Sequence, residues 1–361
     1  MAPIGSAEVG GVEAYTFRLG EALIQRGHQV TLYGGSPKAG VPAPPSRVPL
    51  HLFPYVETQN IPNLGTRFRR LIQRLHFAWI TRDAIPRESF DAILVFKPYD
   101  LITVWFWRRQ GVRSRVILGV HGPEFYPCDR LFIKSVNGLY AVSHSTAQAV
   151  EKHYGVACPV IPNFIDVGEF PWIERSGLER EKLVIAVGRL VGWKGMASLV
   201  RAFARLHREM SSTRLAIIGD GPERENLLSE ARRLGIEAAV EMTGRLEEPA
   251  LAKYRARAAL FVQPSIGYES FSITTLEALA SGVRGLVSSQ VGIADWFRGE
   301  KVLEIFPAGN EEALTERMRK LLAESEEESR AMRQGARRIV ENEFSVETVV
   351  PRISRLLAGD Y

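Results

Sequence analysis

Short apolar runs alternate with longer segments of helical period along almost the whole chain, and this alternation constrains the fold more than any other feature. It is the pattern of repeated strand-helix units around parallel sheets. In the first half it predicts strands at Gln29–Tyr33, Asp91–Phe96, Arg115–Val120, Gly138–Val142 and Pro159–Ile161. Helices are predicted at Gly11–Arg26, Phe68–Asp83, Leu101–Gln110 and Ser145–His153, with Ser143 placed to cap the last of them. Periodicity then lapses from Pro162 to Gly177, a stretch holding Asn163, Asp166, Gly168 and Pro171, as a linker would. A second series follows. Its strands are Leu183–Val187, Thr213–Ile218, Val240–Thr243, Leu260–Gln263 and Gly285–Ser288. Its helices lie near Met196–Glu209, Glu223–Leu234, Pro249–Arg257 and Thr274–Ser281. The charged helical tail holds Pro351, which should kink the last helix or start its second part.

A chain of 361 residues is long enough for two domains with a core each. The reading places an N-terminal domain at 1–165, a C-terminal domain at 166–343 and a final helix at 344–361 that returns toward the first. Two doubly wound domains in sequence would face each other across a cleft, with the carboxyl ends of both sheets turned inward. Two cysteines, Cys128 and Cys158, are too few for a disulfide framework. No apolar run approaches the ~20 residues that a bilayer span requires, and Met1 to Val12 lack the character of a secretion signal. The expectation is a cytoplasmic protein. Residues 1–170 hold 18 Lys+Arg against 13 Asp+Glu, while the remainder balances at 28 against 28. A basic first half suits an anionic membrane face or an acidic ligand, although a solvated basic surface is the plainer account.

Three segments of the second half can carry chemistry. The strand ending at Val187 runs into Gly188-Arg189-Leu190-Val191-Gly192-Trp193-Lys194-Gly195. Its glycines let backbone approach a ligand, and Arg189 and Lys194 can converge on phosphates. A basic turn that merely needs its glycines would look the same. The next strand ends in Gly219-Asp220-Gly221-Pro222-Glu223, a turn without the dinucleotide fingerprint. The third segment runs from Gln263 to Gly282. If its helix begins near Ser272, Glu269 lies in the preceding loop and Glu277 within the helix. Two carboxylates so placed can grip a polyol or a ribose.

Together these segments make the chain resemble glycosyltransferase family 4, retaining nucleotide-sugar transferases of the GT-B architecture. The motifs that carry the resemblance are Gly10-Gly11-Val12-Glu13, His121-Gly122, Ala141-Val142-Ser143, Ile161-Pro162-Asn163-Phe164-Ile165-Asp166, Gly188-Arg189-Leu190 with Lys194-Gly195, Gly219 to Glu223, and Glu269 with Glu277. The resemblance implies an α/β GT-B fold of two Rossmann-like domains. It also implies a donor site of Gly10, Gly11, Arg189, Lys194, Gly219, Glu269, Ser270, Phe271, Ser272 and Glu277. Within it, Arg189 and Lys194 clamp the diphosphate, Glu269 meets the transferred sugar and Glu277 the ribose. His121 lies beside the donor sugar, and Glu13 near the acceptor. Catalytic roles fall on His121, Glu269, Arg189 and Lys194. No cofactor, metal or nucleic acid is implied, only a UDP-, GDP- or other nucleotide diphosphate sugar and a hydroxyl acceptor.

The chain departs from that family in several places. Relatives open with a buried apolar strand before the paired glycines, whereas Met1-Ala2-Pro3-Ile4 looks like only its tail. Either a segment lies upstream or the first sheet lacks a full central strand, and the cost of exposing strand edges favours the former. Ser270 and Ser272 stand where glycines are common, Arg284 where proline is usual and Asp295 where glutamate is usual. Phe68, Leu71, Ile72, Leu75 and Trp79 form a stripe on a basic helix with Arg67, Arg69, Arg70 and Arg74. Such a stripe packs on a core or lies at an anionic bilayer, the latter suiting a lipid-linked acceptor at the inner membrane face.

The expected activity is a metal-independent retaining hexosyl transfer in glycan, glycolipid or natural-product glycoside synthesis, polysaccharide biosynthesis included. The rivals are a non-catalytic nucleotide-sugar-binding protein, a GT-B epimerase or phosphorylase and, outside this fold, a nucleotide-dependent oxidoreductase.

Overall fold

The computed structural model describes residues 11–35, 47–53, 56, 60–62, 64–83, 85, 89–126, 128–174 and 182–360. The chain divides into two compact units. One holds residues up to Asn163 together with Glu347–Tyr361, and the other runs from Phe164 to Val346.

The first unit contains α1 (Gly11–Gln25), β1 (Leu32–Gly35), β2 (Leu50–Phe53), α2 (Thr66–Thr81), β3 (Ala92–Val95), α3 (Asp100–Arg109), β4 (Arg115–Val120), β5 (Gly138–Ala141) and α4 (His144–Tyr154). Among the described residues its strands pair in parallel as β1-β2 and β3-β4-β5. Neither β1 nor β3 has a second strand neighbour among the described residues. A cavity of about 820 Å³ lies between the two, lined by Leu19, Leu23, Leu32, Ile93, Leu94 and others. The strand predicted at Pro159–Ile161 is reduced to one bridge, Val160 to Ala141. Ser143 caps α4 as expected, its hydroxyl accepting from the Thr146 amide.

On α2, Leu71 and Leu75 pack against Tyr99, Ile102 and Tyr126. Trp79 leaves the stripe, being 63% exposed, and its ring carries the Arg82 guanidinium at 3.9 Å. No helix among the described residues is long and apolar enough to cross a membrane.

The second unit holds β6 (Leu183–Val187), α5 (Met196–Glu209), β7 (Arg214–Ile218), α6 (Arg224–Arg233), β8 (Val240–Gly244), α7 (Glu248–Arg257), β9 (Ala258–Gln263), α8 (Ile273–Ala280), β10 (Arg284–Ser288), β11 (Leu303–Phe306), α9 (Glu311–Ala323) and α10 (Glu326–Glu343). All six strands are parallel, in the order β11-β10-β9-β6-β7-β8. Central strands of such a sheet are covered on both faces, which explains why β6 and β9 read as unbroken apolar runs. Helix α5 lays Leu199, Val200, Phe203 and Leu206 on the core, each fully buried. Burial of one such side chain stabilises the fold by roughly 1.5–3 kcal/mol. Arg284, unusual at the head of a buried strand, is held by two bonds to the Glu324 carboxylate (2.9 and 3.0 Å) and one to the Val302 carbonyl (2.8 Å).

After Val346 the chain forms α11 (Val346–Ala358), which is continuous through Pro351 rather than broken there. Residues from Glu347 onward belong to the first unit, where Arg115 donates to the Leu356 carbonyl and Arg352 to that of Val160.

Candidate active site

In the second unit, strand order reverses between β6 and β9. At such a switch point the connections leave in opposite directions and open a crevice beyond the carboxyl ends of the strands. The loop after β6 carries Arg189 and Lys194, and the loop after β9 carries Glu269. Their backbones nearly touch. Gly195 has φ 72°, and a Cβ there would sit 2.0 Å from the Pro264 carbonyl oxygen. Gly219, at the end of β7, has φ 143°, and its Cβ would meet the Gly188 carbonyl oxygen at 1.9 Å. Only glycine fits either position.

Those approaches bring Lys194 Nζ to 2.6 Å from Glu269 Oε1. Both side chains are nearly buried, at 13% and 11% exposure, so the pair sits in a medium that strengthens it beyond a surface ion pair. The other carboxylate oxygen accepts from Gln263 Nε2 (3.0 Å) and from the Ser265 hydroxyl. Gln263 and Ser265 are themselves fully buried and linked at 3.1 Å. Glu269 is thus held in one orientation by three side chains. Gln263 enters the sequence analysis only as the end of a strand and the start of the segment after it, and Ser265 not at all, although an amide and a hydroxyl at the buried end of an apolar strand were the available signal.

Helix α8 begins at Ile273 behind Ser272, whose hydroxyl accepts from the Thr275 amide (3.4 Å). Ser272 has φ 111°, in the left-handed region that glycine adopts freely and serine does not. Its hydroxyl also donates to Gln263 Oε1 at 3.5 Å, which joins it to the Glu269 cluster. Ser270 is half-buried in the intervening loop. Phe271 is turned into the core, its ring 5.7 Å from that of Phe344. Glu277 lies in the second turn of α8 and is buried. Arg189 is exposed beside Gly188, and a Cβ on Gly188 would lie 3.9 Å from Lys194 Nζ.

The remaining candidates belong to the first unit. Gly11 and Glu13 open α1, while Gly10 lies outside the described residues. His121 follows β4 with Tyr15 and Phe96 rings at 4.6 and 5.3 Å. Its Nε2 is buried and has no hydrogen-bond partner among the described residues. Burial, with the Lys97 charge adding to it, pushes the imidazole down to about 3. The ring is therefore neutral at physiological pH, and a neutral ring holds one nitrogen able to accept.

Two family models together match residues 9–339. Glycosyltransferase Family 4 covers 9–169, and Glycosyl transferases group 1 covers 170–339. An uncharacterised glycosyltransferase of Methanocaldococcus jannaschii is 27% identical over 329 residues, spanning 81% of this chain and 80% of that protein. A GDP-mannose-dependent alpha-(1-6)-phosphatidylinositol monomannoside mannosyltransferase of Mycolicibacterium smegmatis is 27% identical over 297 residues, 72% and 77% of the two chains. Among solved structures, sucrose-phosphate synthase of Thermosynechococcus elongatus superposes with a TM-score of 0.80 at 18% identity, covering 98% of this chain and 94% of that one. HepE of Anabaena in complex with UDP and glucose gives 0.78 at 18%, covering 99% and 98%. At such identities the likeness of structure establishes the fold.

Proposed function

The chain belongs to the family 4 glycosyltransferases of GT-B architecture, and from that premise we propose that it transfers a hexose-type sugar from a nucleotide diphosphate sugar to an acceptor hydroxyl with retention of configuration. The observation that carries the reading is the Lys194–Glu269 pair at the strand-order reversal, one cation and one carboxylate fixed at 2.6 Å where an α/β sheet receives its ligand. The relatives supply the donor class, since one is named for GDP-mannose and one was solved with UDP.

Arg189 and Lys194 meet the charge that grows on the departing diphosphate, the work done elsewhere by a bound divalent ion. Glu269 is a donor-positioning group rather than a nucleophile. Both of its oxygens are already bonded, to Lys194 on one side and to Gln263 and Ser265 on the other, which favours attack from the face that the leaving group vacates. We assign Glu277 to the ribose, Gly10, Gly11 and Gly219 to close backbone approach, Ser270, Phe271 and Ser272 to the donor loop, Glu13 to the acceptor, and neutral His121 to a hydroxyl of the transferred sugar.

Glu269→Gln keeps the shape and two acceptor lone pairs but removes the charge. It should lower turnover on a nucleotide sugar roughly 100-fold, about 3 kcal/mol, with nucleotide affinity within about threefold of wild type. Initial rates and calorimetric titration read the two separately, and activity should persist in EDTA. Equal loss of rate and affinity contradicts the assignment.

A further inference from the structure

Three large apolar side chains stand in solvent within the two loops that form the Lys194–Glu269 pair: Trp193 (39% exposed), Ile266 (45%) and Tyr268 (38%). Exposed apolar side chains scattered singly need no explanation, but a set gathered beside a reactive charge pair does. These are tied together through the backbone. The amides of Ile266 and Gly267 both donate to the Trp193 carbonyl, at 2.9 and 3.0 Å. A Cβ at Gly267 would lie 2.8 Å from Trp193 Cβ, so the root of the indole is wedged against the opposite loop. Lys194 Nζ, already bonded to Glu269, sits 4.9 Å from the centre of the indole ring. Ring, ammonium and carboxylate therefore follow one another within contact distance.

We propose that Trp193, flanked by Ile266 and Tyr268, is a stacking platform for a pyranose ring at the reacting end of this site. The inference rests on the glycosyl-transfer reading above. A pyranose presents C–H groups on its faces and hydroxyls around its rim. The indole face carries the negative side of a quadrupole and suits the former. A carboxylate and an ammonium beside it suit the latter. A wedged aromatic side chain has little rotamer freedom to lose when a sugar settles on it. The stacked ring is either the sugar being transferred or a sugar residue of the acceptor.

Saturation-transfer NMR and calorimetry on wild type, Trp193→Ala and Trp193→Phe test this. The probes are UDP, UDP-glucose, GDP, GDP-mannose, and methyl α-D-glucopyranoside and methyl α-D-mannopyranoside with nucleoside diphosphate present. The alanine variant should bind UDP and GDP as wild type does and lose roughly 3- to 10-fold toward a sugar-bearing probe, the range of an aromatic contact. Phenylalanine should recover most of that loss. Loss on the nucleotide sugars assigns the platform to the transferred sugar, and loss on the methyl glycosides assigns it to the acceptor. Unchanged binding of both kinds in Trp193→Ala overturns the platform. So does a wild type that binds nucleoside diphosphate but gains neither affinity nor saturation from either kind of sugar. If methyl glycosides saturate at Trp193 while no nucleotide binds, the donor reading fails and the platform stands.

Discussion

Ser272 holds a conformation that costs a residue with a Cβ of order 1–3 kcal/mol, and it does so at the mouth of the donor loop. Its hydroxyl offsets that cost by capping α8 and joining the Gln263 cluster. The two contributions separate by substitution. Ser272→Ala keeps the strain and loses the cap, and should be less stable than wild type by about 1 kcal/mol. Ser272→Gly relieves the strain and should exceed the alanine variant by about 1 kcal/mol. Denaturant titration of the three proteins reads the order, and alanine at or above glycine refutes the account. His121 gives a second residue-scale expectation. Folding lowers its proton affinity from the usual His value of about 6.5 to about 3, so the unfolded chain binds the extra proton. The stability that this difference contributes is complete above pH ~6.5 and is lost as pH falls toward 3. The stability-versus-pH curve of His121→Phe should accordingly be flatter than wild type between those limits and parallel above them. That Lys194 and Glu269 lie in loops following strands, and that α8 begins near Ser272, was legible because turns and helix starts are local signals. Gln263 was not, because a polar residue closing an apolar strand reads first as the strand's end.

Elements were legible in proportion to how much of their pattern the core dictates. Helix α5 appears with the predicted ends because its buried face repeats at helical spacing for its whole length. Strands β2 and β11 escaped. β2 is a four-residue strand with prolines close on both sides, and β11 lies at the sheet edge, where Glu304 interrupts the apolar run and pairs with Arg317 and Lys320 at 3.3 Å each. Helix α2 divides in its use. Leu71 and Leu75 go to the core, as a stripe of that period normally does. Trp79 and Leu64 do not, and they stand 63% and 71% exposed on or just before a helix with four arginines. We propose that α2, through Trp79, rests on an anionic bilayer, which suits a lipid-linked acceptor. The protein should co-sediment with vesicles containing phosphatidylglycerol at low salt, release as salt rises, and lose most of that binding in Trp79→Ala. Failure to bind at any salt ends the idea.

At the scale of the molecule, the alternating pattern was enough to announce α/β architecture in both halves, because periodicity survives substitution. It did not reveal that the described strands of the first half pair as β1-β2 and β3-β4-β5. Pairing across a gap is a long-range property that no local pattern records. The two units differ accordingly. One has a six-stranded sheet, and in the other residues of β1 and β3 line a cavity. Unfilled space weakens a fold. Calorimetry should therefore resolve two transitions, the lower one belonging to the first unit. A single transition would refute this. Two transitions also decide how a melting screen for the donor must be interpreted. A nucleotide present at 100 times its dissociation constant adds about 2.7 kcal/mol to the folded form that holds it. The earliest signal on warming reports a lobe without Lys194 or Glu269, so a nucleotide held by those two side chains shifts the later signal first.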